Sequence, residues 1–399
     1  MTDDGRLGEL PSSGLMVNEW NPPVRCAALK PTITLTQGSF RMSIILCPGA
    51  LWRRVCLTVA SLLTCGTLIA TEAMAADPSP PPPVIALPIL GSLLPALPAL
   101  PIFADLTQFF GGLDLLLVQL GGERIEPTDG TETFEGTYVH DGLTRRYVGV
   151  RPIGAPAGAP ALLLLHPLAL QPARMANLTR AGRLAAQYGA WVYLPEAFGA
   201  NWTDDPNRLG ADDVGFLSGL ISREQAANGL DAGRTYVAGY SNGGFMAERL
   251  ACERPQQFAG LAMVAATLRN SLATRCTGGQ RMPTVMFSGT SDTVVPYTGM
   301  LGQYSVPDAA AFWSVKNGCS AGFTDTRLPN TVLTDGTTVN LRRYRSCPDS
   351  DVRLYTVNGG GHTWPGTNYA GYTIALGATT FDIDATLLLW QVLVPFARP

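Results

Sequence analysis

The chain has 399 residues, only 15% of them charged, and a formal net charge of -3. That balance excludes a basic nucleic-acid surface and a long acidic tail, so no nucleic-acid partner is expected. The length exceeds one typical domain without requiring two, while 43 glycines and 31 prolines point to many turns and a low-complexity stretch.

Residues 1–46 show no clean periodicity. Arg53 and Arg54 precede an apolar run over 55–70, and Ala73-Met74-Ala75 follows. A basic flank, a short greasy segment and an A-x-A site predict a secretory signal over 42–75, cut near Ala75. The flank lies far from Met1, and Met42 would restore the usual distance. Translation is therefore expected to begin at Met42, with 1–41 a misassigned extension. The run is short for a membrane span, so no stable span is expected in the mature chain; an uncleaved, membrane-tethered form is the alternative. Leu63-Thr64 before Cys65 do not make a lipid-attachment site. Over 76–125 comes a linker, with Pro78-Ser79-Pro80 and then proline at 88, 95, 98 and 101. That spacing forbids a continuous helix and favours extended chain. A short helix over 113–120 ends the linker.

The region 126–399 reads as one catalytic domain. Strands are expected over 131–138 and 145–150, joined by a hairpin at His140-Asp141-Gly142, with His140 a surface histidine. The apolar run 161–165 reads as a strand buried on both faces and ends in His166-Pro167-Leu168. A helix over 175–188 and a strand over 191–194 follow. Asp212 and Asp213 start a helix carrying Phe216, Leu217, Leu220 and Ile221. Further strands are expected at 234–238, 260–266, 284–288 and 352–357, with a helix at 245–253. Such alternation predicts an α/β fold, a mostly parallel sheet with helices on both faces.

In that architecture ligands sit at the carboxyl ends of the strands. Three conspicuous sites fall there. Gly239-Tyr240-Ser241-Asn242-Gly243 lies between a strand and a helix, the context of a nucleophile elbow; an ordinary Ser/Gly loop is the bland alternative. Asp292 follows the strand over 284–288, where it could equally be a turn residue bonding its own backbone. His362 follows the strand over 352–357, in a glycine-rich loop. A serine hydroxyl needs a base to accept its proton, and a carboxylate on the other ring nitrogen fixes the tautomer. The order Ser241, Asp292, His362 is that of the α/β-hydrolases. Among the 3 histidines only His362 lies downstream of the acid. Asp349 and Asp351 precede a strand and should lie at the opposite edge. The oxyanion is expected to meet the N–H of Asn242 and, because Pro167 has none, that of Leu168. Trp202 and Trp364 are candidates for an acyl or aromatic pocket wall, or for core packing. No metal or nucleotide motif is present, so no cofactor is expected.

Tyr240-Ser241-Asn242-Gly243-Gly244, Gly289-Thr290-Ser291-Asp292 with Val295-Pro296, and Gly361-His362-Thr363-Trp364-Pro365-Gly366 together resemble the secreted polyhydroxybutyrate depolymerase and feruloyl esterase group of α/β-hydrolases. Asp212-Asp213-Val214-Gly215-Phe216 resembles it too. The likeness spans roughly 130–370 and implies Ser241 as nucleophile, Asp292 as acid and His362 as base. Pro167 departs from it, since the group usually has glycine there.

Four cysteines follow the signal, Cys252, Cys276, Cys319 and Cys347, which permits three connectivities in an oxidising compartment. Cys252–Cys276 with Cys319–Cys347 closes the shorter loops and matches what the resemblance suggests; four free thiols are the alternative. The reading is a secreted serine esterase working through an acyl-enzyme on a polyhydroxybutyrate-type polyester or its oligomers. A feruloyl or acetylxylan esterase is the alternative. A peptidase of the same fold and a non-catalytic polymer- or sugar-binding module are outliers.

Overall fold

The structure is a computed structural model that describes residues 32–35, 38–41, 124–276, 280–320, 322–367 and 376–398. The expected signal sequence over 42–75 and all of the proline-rich linker up to residue 123 lie outside the described residues. The chain divides into two units, Met1–Ala86 and Leu87–Pro399. The first shows an antiparallel pair, β1 (Thr32–Leu35) with β2 (Gly38–Arg41).

The second unit is built on a ten-stranded sheet. In chain order its strands are β3 (Thr131–His140), β4 (Leu143–Pro152), β5 (Ala161–Leu165), β6 (Trp191–Pro195), β7 (Thr235–Tyr240), β8 (Gly260–Val264), β9 (Thr284–Gly289), β10 (Phe323–Arg327), β11 (Thr338–Tyr344) and β12 (Val352–Asn358). Their spatial order is β10-β11-β12-β9-β8-β7-β5-β6-β4-β3. The six central strands are parallel, and antiparallel pairs flank them on each side. The β3–β4 turn is Asp141-Gly142, both at positive φ (50° and 75°), the conformation a two-residue hairpin needs to match strand twist.

β5 explains the core. Its five residues are all buried, and their side chains alternate between faces. Ala161, Leu163 and Leu165 join one apolar cluster, Leu162 and Leu164 the other. Burying each such leucine contributes roughly 1.5–3 kcal/mol. The helices complete the two faces. They are α1 (Pro172–Thr179), α2 (Gly182–Tyr188), α3 (Asp213–Asn228), α4 (Asn242–Glu253), α5 (Asn270–Ala273), α6 (Val306–Lys316) and α7 (Ala385–Leu393). α3, α4 and α6 cover the first cluster; α1, α2 and α7 cover the second.

Asp212 caps α3 by accepting from the Gly215 N–H at 2.9 Å, as the acidic pair predicts. The expected helix over 175–188 is instead two. Arg180 stands in the left-handed region (φ 51°) and breaks it. At the break the Arg180 guanidinium reaches Asp384 at 3.1 Å, and the close approach of Thr128, whose Oγ1 would lie 2.2 Å from a Cβ on Gly182, leaves no room for a side chain there. Both disulfides are formed, Cys252–Cys276 and Cys319–Cys347. Among the described residues no helix is long and apolar enough to cross a membrane.

Candidate active site

The strand order reverses beside β5: β6 lies on one side of it and β7 on the other. Loops leaving β5 and β7 therefore part company at one edge, which is where open sheets of this kind bind ligands. Ser241 sits there, between β7 and α4, at φ 53° and ψ -121°. A non-glycine residue held so costs roughly 1–3 kcal/mol. Its neighbours show why the turn is glycine-rich. A Cβ on Gly239 would be 2.0 Å from the Gly243 oxygen, and one on Gly243 would be 2.3 Å from the Leu165 oxygen. The Ser241 N–H donates to Val264 O at 2.9 Å, which locks the turn to β8. The residue is half-buried, and its hydroxyl does not cap the helix it begins.

Asp292 and His362 are brought together from the loops after β9 and β12. A Cβ on Gly289 would lie 2.2 Å from the Gly360 oxygen, so the two loops touch only because that position lacks one. Asp292 Oδ1 accepts the Val294 and Val295 N–H groups, each at 2.8 Å. Its Oδ2 faces His362 Nδ1 at 2.8 Å. A carboxylate oxygen only accepts, so Nδ1 carries the proton and the lone pair falls on Nε2. His362 N donates to Leu376 O at 2.7 Å, and Tyr240 Oη donates to His362 O at 2.5 Å. The Tyr240 ring lies against the imidazole, centroids 5.4 Å apart. The residue just before Ser241 thus holds the histidine. No hydrogen bond joins the Ser241 hydroxyl to His362 among the described residues. Both Asp292 and His362 are buried.

The rival carboxylates fall where their strand position predicts. Asp351 O accepts from Thr284 N, at the start of β9, and its side chain pairs with Arg343 and Arg353. Asp349 is exposed at the same far edge.

After β5, His166 is buried. Its Nδ1–H donates to Pro167 O at 2.7 Å, and its Nε2 accepts from the Ala197 N–H at 3.0 Å. Those partners need the neutral ring, and burial lowers its pKa to about 4. Pro167 O also accepts from Leu170 N at 3.3 Å, and Ala169 takes φ 59°. The loop is therefore shaped around the proline carbonyl, and the Leu168 N–H has no protein acceptor among the described residues. Asn242 N–H, at the first position of α4, is likewise without one, as the first turn of a helix dictates. Two backbone donors without a protein acceptor among the described residues thus lie on the segments that leave β5 and β7.

Neither tryptophan lines an open cleft. Trp202 is 0% exposed and Trp364 1%, and a ring without accessible surface cannot wall one. Trp364 Nε1–H donates to Thr386 Oγ1 at 3.0 Å, and its ring meets Tyr240 edge-on at 6.0 Å. Trp202 Nε1–H donates to His166 O at 2.9 Å. Both brace the loops around the serine. His140 is held by Asp212 at 2.9 Å beside the cap of α3. With Asp141 it makes a surface group of metal-ligand type, in which His140 already pairs with Asp212. Sequence reasoning missed Glu248, wholly buried on α4 two turns past the serine. Its Oε1 accepts from Trp313 Nε1–H at 2.9 Å, while Oε2 has no partner. Burial raises its pKa to about 8, against the smaller lowering effects of Trp313 and Arg269. A glutamate in a helical run reads as surface, so no local signal could have found it.

No protein-family model matches the chain. Among curated proteins, "Putative esterase NocK" of Nocardia uniformis subsp. tsuyamanensis is 31% identical over 281 residues, which span 64% of this chain and 81% of that protein. Feruloyl esterase B of Piromyces equi is 28% identical over 220 residues, 51% of this chain and 39% of that protein. Among solved structures, an acetyl xylan esterase from Aspergillus awamori superposes with a TM-score of 0.45 at 16% identity, covering 58% of this chain and 94% of that one.

Proposed function

The chain belongs to the feruloyl esterase group of α/β-hydrolases and is an esterase, and from that premise we propose a serine mechanism through an acyl-enzyme. Ser241 is the nucleophile, His362 the base and Asp292 the orienting acid. The observation that carries this is the Asp292–His362 hydrogen bond at 2.8 Å, held against the residue that precedes a serine in a strained elbow. His362 Nε2 takes the serine proton as Oγ attacks the ester carbonyl, then returns it to the leaving alcohol. Water repeats the cycle to release the acid. The Leu168 and Asn242 N–H groups receive the oxyanion, each contributing roughly a hundredfold to a thousandfold in rate. A serine–imidazole contact that is open in a free enzyme commonly tightens when substrate binds.

The reading extends to an exported enzyme, its signal cut near Ala75 and its two disulfides closed in an oxidising compartment. The motifs favour a polyhydroxybutyrate-type polyester or its oligomers as substrate. The relative named feruloyl esterase B favours a second reading, a feruloyl or acetylxylan ester of plant cell wall. Wild type is expected to hydrolyse p-nitrophenyl acetate and to be labelled on Ser241 by a fluorophosphonate. Ser241→Ala should do neither, losing roughly four to six powers of ten in kcat. Label on another residue, or an active Ser241→Ala, refutes the mechanism. Turnover of polyhydroxybutyrate film, methyl ferulate and acetylated xylan, assayed side by side, ranks the substrates.

A further inference from the structure

Trp202 bridges the two segments that carry the proposed oxyanion donors. Trp202 donates its Nε1–H to His166 O, the last carbonyl before Pro167-Leu168, and its ring lies 5.0 Å from the His166 imidazole. Its own backbone is paired with the side chain of Asn242. The Trp202 N–H donates to Asn242 Oδ1 at 2.8 Å, and Trp202 O accepts from Asn242 Nδ2 at 3.2 Å. One residue therefore grips both donor-bearing segments, the loop after β5 through its indole and the start of α4 through its main chain.

The segment that carries it is neither helix nor strand, yet it is tied down. Thr203 N–H donates to Asp213 Oδ2 at 2.7 Å, and Asp213 is paired with Arg145 at 2.8 Å. Arg249 and Arg208 donate to the Thr203 and Trp202 carbonyls, each at 2.6 Å. Asp204, with no side-chain exposure, accepts from Asn242 Nδ2 at 3.0 Å and from Arg269 Nε at 2.6 Å. A loop with this many buried charged anchors is a fixed strut.

We propose that Trp202 is the positioning residue of the oxyanion hole, setting the separation between the Leu168 and Asn242 N–H groups by bonding to both sides. The inference rests on the serine mechanism above. Oxyanion donors act only when aimed within a few tenths of an ångström of where the charge develops. Loosening the strut should therefore weaken the transition state and leave the ground state alone, which lowers kcat and spares KM.

Two variants test this in the full-length protein. Asn242→Ala keeps the backbone N–H and removes the side chain that pairs with Trp202. Trp202→Phe keeps a smaller aromatic ring and the backbone pairing but removes the indole N–H. Each is expected to lower kcat for p-nitrophenyl acetate by roughly ten- to a hundredfold, with KM within about threefold of wild type. Phenylboronic acid adds to the serine oxygen, the displaced proton passing to His362, and becomes a tetrahedral anion. Its affinity should fall by the same factor as kcat. If Trp202→Phe does not fold, Asn242→Ala, at a half-buried position, decides alone. Wild-type kcat and boronate affinity in Asn242→Ala, or a change confined to KM, overturns the strut. A wild type that fluorophosphonate does not label on Ser241 overturns the premise instead.

Discussion

Glu248→Gln isolates the electrostatic cost of one buried acid. The glutamate is 0% exposed, with Trp313 its single hydrogen-bond partner among the described residues and one oxygen bare. Burial lifts its pKa from 4.5 to about 8. For an acid raised in this way the folded state binds the proton more tightly, so stability is full below pH 4.5 and falls as pH climbs towards 8. Each pH unit in that window removes about 1.4 kcal/mol. His166 has the opposite sign. Its pKa drops from 6.5 to about 4, so between those values stability rises with pH by a similar slope. The wild type should therefore be nearly flat in stability from pH 4.5 to 6.5, as far as these two groups decide it, and then lose about 2 kcal/mol by pH 8. Glutamine can keep the Trp313 bond and cannot ionise. The variant's stability relative to wild type should thus grow by about 4 kcal/mol between pH 5 and pH 8. Urea unfolding at pH 5, 6, 7 and 8, with the disulfides intact, measures it. Only the pH trend matters, because a constant offset reflects packing. Parallel curves, within about 0.5 kcal/mol across the range, would show that Glu248 is not held neutral and would refute the reasoning.

Two further substitutions follow from single contacts. Asp292→Asn cannot serve all its partners: its amide oxygen will go to the Val294 and Val295 N–H groups, leaving NH2 against His362 Nδ1 and forcing the proton onto Nε2. A base with the wrong tautomer should cost about 10⁴ in kcat on p-nitrophenyl acetate; a loss below about tenfold would remove Asp292 from the mechanism. Replacing both Cys319 and Cys347 with serine opens a loop of sequence separation 28, which should cost about 3–4 kcal/mol in urea unfolding. That bridge lies where β11 returns to β12, at the edge away from Ser241, so kcat should stay as it was.

The parts legible in the sequence are those whose cause is local. The elbow shows because Gly239 and Gly243 must lack side chains where the backbone crowds. The parallel block shows because strands such as Ala161–Leu165, buried on both faces, read as unbroken apolar runs. The Asp212 cap shows because the helix follows at once. The sequence hides what distant contacts decide. The hairpin of β10 and β11 escapes because β10 is exposed along its whole length, so it has no apolar face to alternate. The break at Arg180 falls on neither a proline nor a glycine, and the partner of its guanidinium, Asp384, lies far along the chain. Trp202 reads as a pocket residue when only its loop is known, and its indole partner, His166 O, is 36 positions away.

The edge opposite the serine has a practical use. The crossover between β4 and β5 runs along it with exposed Gly154 and Ala157, and none of the proposed chemistry comes from there. A tag or an immobilising linker spliced into that crossover would orient every molecule with its reactive rim outward, open to whatever ester is supplied.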